Sequence, residues 1–149
     1  MTVPLSATLE VRDRCLCFRA QRAARILARR FDAAFRPFGL TNGQFSLLMS
    51  LNRPAPSAMG AVADFLGMDR TSLTAALKPL ERRGLVAVAV DTKDRRGRRL
   101  ALTDAGRALL AEALPVWRAE HERLDAALAA LGAEPEALRD GLGAIGGAT

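Results

Sequence analysis

The sequence predicts a mostly α-helical chain with one small β-hairpin and long helices at both ends. Three observations carry this. Apolar residues recur at steps of three, four and seven through much of the 149-residue chain. Ala and Leu, both strong helix formers, dominate a composition that is 50% apolar. Residues 85–102 break the pattern, with a Leu/Val/Ala run, a polar turn and an alternating segment.

Residues 7–38 place Leu9, Leu16, Ala20, Ala23, Leu27, Phe31, Ala34, Phe35 and Phe38 on one face, so one long helix is expected there. Pro37 and Gly39 end it. A second helix opens at Thr41, where Gln44 three residues on completes a capping box, and Phe45, Leu48 and Leu51 face inward. The run Asn52, Arg53, Pro54, Ala55, Pro56 breaks it. Ser57 is expected to cap a short third helix with Val62, Phe65 and Leu66 inward, stopped by Gly67. Asp69 caps a fourth helix whose inner stripe is Leu73, Leu77 and Leu80, ended by Gly84.

Residues 85–90 are short enough for a strand, 91–97 form a turn with Gly97 supplying a positive φ, and 99–102 return as a second strand. Thr103 begins another long helix, to about Leu131, which Pro115 should kink. Residues 136–145 form a last helix with Leu138, Leu142 and Ile145 on one side. Two short helices joined by a Gly turn and followed by a basic hairpin make a winged helix-turn-helix. The division expected is a lobe at 39–115 and dimerisation helices at 1–38 and 116–149. The apolar stripes of those helices, including Leu9, Leu16, Leu138, Leu142 and Ile145, could close an intrachain core. A core shared by two copies is favoured, because stripes this long need a partner.

Charge and composition narrow the function. Net charge is +6 with six Phe, one Trp and no Tyr, which disfavours an aromatic platform for sugars or single strands. Lys93, Arg95, Arg96, Arg98 and Arg99 crowd the turn, where they repel one another unless an anion is near; a narrow minor groove would stabilise them. Asp94 could bond one of these arginines. On the fourth helix Arg70, Thr71, Thr74 and Lys78 lie opposite the inner stripe, with Ser72 beside them. A solvated face is the plain alternative for these residues. As a recognition surface, Arg70 suits guanine, and the short hydroxyls suit donor or thymine-methyl contacts.

Other chemistry finds little support. Cys15 and Cys17 are too few for a disulfide framework, sit two apart on the expected helix, and with His121 do not make a four-ligand zinc site. No metal, cofactor or catalytic motif is expected, so an enzyme is not. Residues 1–10 carry no signal pattern and no apolar run reaches about 18 residues, so the expected location is cytoplasmic, with no membrane partner. Phe31, Phe35, Phe45, Trp117 and His121 are candidates for an effector pocket, with core packing the alternative role for the phenylalanines.

The run 65–74, Phe-Leu-Gly-Met-Asp-Arg-Thr-Ser-Leu-Thr, resembles the MarR (multiple antibiotic resistance regulator) family. So do Leu-Lys-Pro-Leu-Glu-Arg-Arg-Gly-Leu-Val at 77–86, Asp-Thr-Lys-Asp-Arg-Arg at 91–96 and Leu-Thr-Asp-Ala-Gly at 102–106. The resemblance spans Cys17 to about Leu131. It implies a homodimer that binds a pseudo-palindromic double-stranded operator, usually as a repressor, and is released by a small aromatic or phenolic effector. It further implies that Arg96 is the wing-tip arginine with Asp94 as its orienting partner, and that the first and last helices form the dimer interface. One branch of the family senses hydroperoxides through a cysteine, and Leu16-Cys17-Phe18 matches that site. That branch holds the thiolate with tyrosines, where this chain has Phe31 and Asn42. Cys17, with Cys15, is thus either a redox sensor or a buried apolar residue. An interaction module that has lost DNA binding is the further alternative.

Overall fold

The computed structural model describes residues 1–147. Its helices are α1 (Leu5–Arg14), α2 (Leu16–Phe35), α3 (Asn42–Ser50), α4 (Met59–Leu66), α5 (Arg70–Arg82), α6 (Asp104–Ala130) and α7 (Pro135–Gly147). Three short strands, β1 (Ser57–Ala58), β2 (Val86–Val90) and β3 (Arg98–Leu102), form an antiparallel sheet in the order β1-β3-β2.

The first helix is not one rod. Cys15 is extended, at φ −76° and ψ 106°, and its Sγ accepts the Phe18 N–H at 3.3 Å as the N-cap of α2. Sequence periodicity missed this because α1 buries none of its residues, so no packing holds the two helices in line. The expectation that Cys15 and Cys17 share a helix is corrected accordingly. At the other end α2 stops at Phe35 and a 3-10 turn, Arg36–Phe38, leads to Gly39 at φ 62°. Pro37 lacks the N–H that a continuing helix would need.

The expected capping box is present: Thr41 Oγ1 accepts the Gln44 N–H, and Gln44 Oε1 accepts the Thr41 N–H. The Asp32 carboxylate on α2 also accepts the Asn42 N–H at 2.6 Å, so α2 holds the start of α3 directly. Phe45, Leu48 and Leu51 are buried, as their spacing predicts. Ser57 is a correction. It caps nothing and instead pairs across from Leu100, adding a third strand to the expected hairpin. Two residues are too short a run to show alternation, so only the tertiary partner reveals this strand. Phe65 is a second correction. Val62 and Ala63 take the inward face of α4, while Phe65 stays 66% exposed beneath the Arg53 guanidinium.

Leu73, Leu77 and Leu80 of α5 are buried together with Phe35, Leu48 and Leu100, forming one core beneath the sheet. Residues 98–102 pair with 86–90, and Leu100 and Leu102 point inward. α6 runs through Pro115 without interruption. Its first turn lies hard against the residue that precedes β2: a Cβ on Gly106 would come within 2.1 Å of the Leu85 carbonyl oxygen. Higher up, α6 is tied to α2 through Glu120, which accepts from Arg30 at 3.0 Å and also pairs with Arg123. The Arg30 hydrogen bond, followed by that of Arg123, holds the Glu120 carboxyl below its ordinary range. α7 extends slightly beyond the expected 136–145 and bonds α6 through Arg139 and Asp125.

Neither α1 nor α7 buries a residue. Leu9, Leu16, Leu138, Leu142 and Ile145 all remain exposed, Leu16 at 71%. Together with Phe18 and Ile26 they leave the two ends of the chain with apolar faces that the single chain does not cover. No described helix is long and apolar enough to cross a membrane.

Candidate nucleic-acid interface

Asp69 initiates α5 by accepting the Ser72 N–H at 2.8 Å and the Ser72 hydroxyl at 2.7 Å. The side-chain bond from Ser72, then its backbone N–H, lowers the Asp69 pKa. The Ser72 hydroxyl proton is therefore committed to the cap. Thr74 likewise donates its hydroxyl to the Arg70 carbonyl at 2.8 Å. The expectation of short hydroxyl donors is corrected at these two positions: each offers a bond-accepting oxygen, and Thr74 a methyl. Arg70, Thr71 and Lys78 are exposed, and Arg70 lies so close over Gly60 that a Cβ there would come within 2.9 Å of its Nη2.

The hairpin, or wing, is held from inside by Asp91. Its carboxylate accepts the Lys93 N–H at 2.9 Å and Arg99 Nε at 2.7 Å, and its own N–H bonds the Gly97 carbonyl. Asp94 accepts the Arg96 backbone N–H at 3.0 Å. The expected Asp94–arginine side-chain bond is thus corrected: Asp94 shapes the backbone, and the side-chain pair is Asp91–Arg99. Gly97 is also corrected. It has no positive φ, but a Cβ would approach both the Asp91 Cβ and the Asp94 carbonyl to 3.2 Å, so the tight turn needs space. Arg98 donates to the Arg95 and Gly97 carbonyls. Among the described residues the Arg95 and Arg96 side chains form no hydrogen bond or ion pair, and Lys93 is exposed beside Arg99.

The Lys93 N–H bond, aided by Arg99, holds the Asp91 pKa down. A carboxyl with a depressed folded pKa adds stability above its unfolded pKa and loses it as pH falls through the folded value. Acidification below about pH 4 is therefore expected to loosen the wing. Amide exchange at Lys93, whose N–H bonds the Asp91 carboxylate, should accelerate over that range. Unchanged wing protection at low pH would contradict this.

Helix and wing face one another. A cleft of ≈ 800 Å³ is lined by Arg70, Thr74 and Lys78 from α5 and by Asp94, Arg96 and Arg98 from the wing. Thr71, Ser72, Lys93 and Arg95 lie outside its walls, on the same two elements. Four cations of the sequence expectation, Arg70, Lys78, Arg96 and Arg98, thus line one concave surface with the positive start of a helix beside it.

The proposed effector residues divide. Phe31, Phe35 and Phe45 are buried, and Phe35 stacks on Phe45 at 4.5 Å between ring centres. His121 lies between Phe31 at 4.6 Å and Trp117 at 4.1 Å, with Nδ1 3.1 Å from the Trp117 carbonyl. Only Phe45 and Trp117 reach a cavity, ≈ 350 Å³ in volume, whose other walls include Met49, Phe65, Leu66 and Leu114. Phe31, Phe35 and His121 do not line it: the two phenylalanines are core residues, and His121 is held between Phe31 and Trp117. Met49, Phe65, Leu66 and Leu114 were missed because their spacing reads simply as helix interior.

Cys17 is exposed, not buried, and its Sγ accepts from Gln21 Nε2 at 3.0 Å. The nearby arginines turn elsewhere, Arg14 to Glu10 and Arg19 to the Asp13 carbonyl. No group of three potential metal ligands occurs among the described residues.

A sequence model described as the MarR family matches residues 38–97. The transcriptional activatory protein BadR of Rhodopseudomonas palustris is 36% identical over 104 residues, which is 68% of this chain. The match spans only 59% of that relative's length. Among solved structures, the M. tuberculosis transcriptional regulator MosR in complex with DNA is 40% identical, with a TM-score of 0.76 over 90% of this chain and 95% of that one. The transcriptional repressor CouR bound to a 23-mer DNA duplex is 32% identical, with a TM-score of 0.78 over 97% and 99%.

Proposed function

This chain belongs to the MarR family, and from that premise we propose that it is a dimeric repressor of a pseudo-palindromic operator, released by a small aromatic or phenolic molecule. One observation carries the reading: the polar side of α5 and the arginines of the wing line a single cleft, so one duplex can meet both. α5 enters the major groove with Arg70 and Thr74 near base edges, and the wing sets Arg96 toward the adjacent minor groove. Residues 39–115 form the reading lobe. Residues 1–38 and 116–149 join two copies through the uncovered faces of α1, α2 and α7, and a two-fold dimer matches a two-fold site.

The effector occupies the cavity beside Trp117. Its volume, ≈ 350 Å³, fits a one-ring ligand, and its apolar walls favour an aromatic body over a charged one. The cavity touches α3, α4 and α6, so a ligand there bears on the helix that packs behind α5.

Selection of bound fragments from the source genome tests the DNA reading. Paired, inverted half-sites should emerge, and affinity for them should fall by about 0.9 log units per log salt for each phosphate neutralised. Binding without salt dependence or without paired sites would favour an interaction module instead. For the effector, the single tryptophan is itself the probe. A panel of benzoates and phenols should include members that quench Trp117 emission saturably and lower operator affinity with the same midpoint. Quenching with no change in DNA affinity would remove the cavity from regulation.

A further inference from the structure

Arg83 closes α5 as its C-cap, at the end remote from Arg70. Its guanidinium donates to the Gly39 carbonyl at 2.7 Å and to the Phe38 carbonyl at 3.3 Å. Both carbonyls lie where α2 finishes, in the turn closed by the Leu40 N–H on the Phe35 carbonyl. Phe38 ends the 3-10 turn that follows α2 and Gly39 caps it, so no further helical N–H is in place for their carbonyls and a donor from elsewhere is favoured. Two oxygens on consecutive residues suit the planar fork of Arg rather than the single point of Lys. Gly39 keeps the approach open: its φ of 62° suits glycine, and a Cβ would lie 3.4 Å from Arg83 Nη2.

The same end of α5 is held from the opposite side. Thr103 donates its hydroxyl to the Gly84 carbonyl at 2.6 Å and its N–H to the Leu85 carbonyl at 3.1 Å. Thr103 is the N-cap of α6. The end of α5 is thereby tied to both long helices, to α2 through Arg83 and to α6 through Thr103. Among the described residues, the side-chain hydrogen bonds joining α5 to the end of α2 are the two from Arg83.

We infer that Arg83 is a positioning residue that fixes α5 against the end of α2 and so sets the half-site spacing the dimer accepts. The inference rests on the operator-binding reading above. One added base pair between half-sites displaces the second by about 3.4 Å and turns it by about 35°. A dimer with rigidly held recognition helices cannot follow both changes. Without the fork, α5 keeps its buried leucines and the Thr103 bonds at Gly84 and Leu85 but loses its polar tie to the end of α2, so it can shift on its core contacts and accept neighbouring spacings.

The test is selection from a random duplex library by the full-length protein, with Arg83→Met and Arg83→Lys variants alongside. Met keeps the apolar stem and deletes the donors. Lys retains one bond. All three proteins should enrich the same half-site, since the cleft residues are untouched. The parent should favour one spacing about tenfold over those one base pair longer or shorter, and Arg83→Met should reduce that to about twofold, with Arg83→Lys between. The preference is a ratio between duplexes on one protein, so a loss of stability alone leaves it unchanged. Should Arg83→Met fail to fold, a full parental preference in Arg83→Lys overturns the assignment by itself. A folded Arg83→Met with the parental preference overturns the role of Arg83 while leaving operator binding intact. Failure of the parent to enrich any paired half-site overturns the operator reading, and this proposal with it.

Discussion

Gly106→Ala is expected to destabilise the protein by about 3 kcal/mol, near the upper end for overpacking a close-packed site. The added carbon would sit 2.1 Å from the Leu85 carbonyl oxygen and 3.1 Å from its carbonyl carbon. Both are backbone atoms, so no rotamer change relieves the clash. Either α6 lifts from the sheet or β2 shifts. Lifting α6 would break the Thr103 bonds to Gly84 and Leu85 and expose Leu102, whose side chain lies 3.3 Å from the same point. Thermal denaturation should show a fall of roughly 10 °C for a domain of this length. A melting temperature within about 2 °C of the parent would mean that the helix start yields freely. DNA affinity should fall along with stability, because α5 and the wing both depart from this junction.

The opposite profile is expected for Arg95→Ala combined with Arg96→Ala. Both side chains are exposed and, among the described residues, neither donates to a protein acceptor, so their loss leaves nothing unsatisfied. The melting temperature should not move. Operator affinity should drop about 100-fold, as expected for two direct contacts of about 1–3 kcal/mol each. The salt dependence should become shallower by about one log unit for each phosphate contact removed. Arg98→Ala is a less clean probe, because its guanidinium also bonds the Arg95 and Gly97 carbonyls and helps shape the turn. If the double variant binds DNA with parental affinity, the wing does not touch the duplex and the cleft reading fails. If it melts early, the two arginines are structural.

Much of this fold was legible because its signals are local. The capping box at Thr41, the Asp69 cap and the Leu73, Leu77, Leu80 stripe each depend on residues within one or two helical turns. The cationic turn was legible for the same reason. What failed was equally specific. Ser57 reads as a cap from its neighbours, yet it pairs with a strand some forty residues away. Asp94 reads as the partner of an arginine side chain, yet Asp91 takes that place through the hairpin register, which sets Arg99 close to it. Phe65 reads as core, yet Val62 and Ala63 fill the space, because their side of α4 faces α3 and α5.

The candidate site follows the same division. Its wing cations crowd residues 93–98, so charge density found them, and Arg70 and Lys78 followed from helical spacing opposite the buried leucines. The cavity beside Trp117 draws on α3, α4 and α6, and no spacing rule connects Phe45, Met49, Phe65 and Leu114. Arg83 was visible only as one more basic residue at a helix end, and nothing near it in sequence announces Gly39 as its partner.

By itself the sequence determined the kind of protein: most of its helices, the Thr41 and Asp69 caps, the basic turn, the apolar stripes of the terminal segments. Hydrophobic period, capping and charge density act over a few residues, and a linear reading captures them. Only the tertiary structure decided that the first helix breaks at Cys15, that a third strand forms, which faces line the cavity, and that Arg83 ties the end of α5 to the turn after α2. Each of those depends on which surfaces meet across long stretches of chain, and that is settled by packing volume and backbone geometry together rather than by any neighbouring residue.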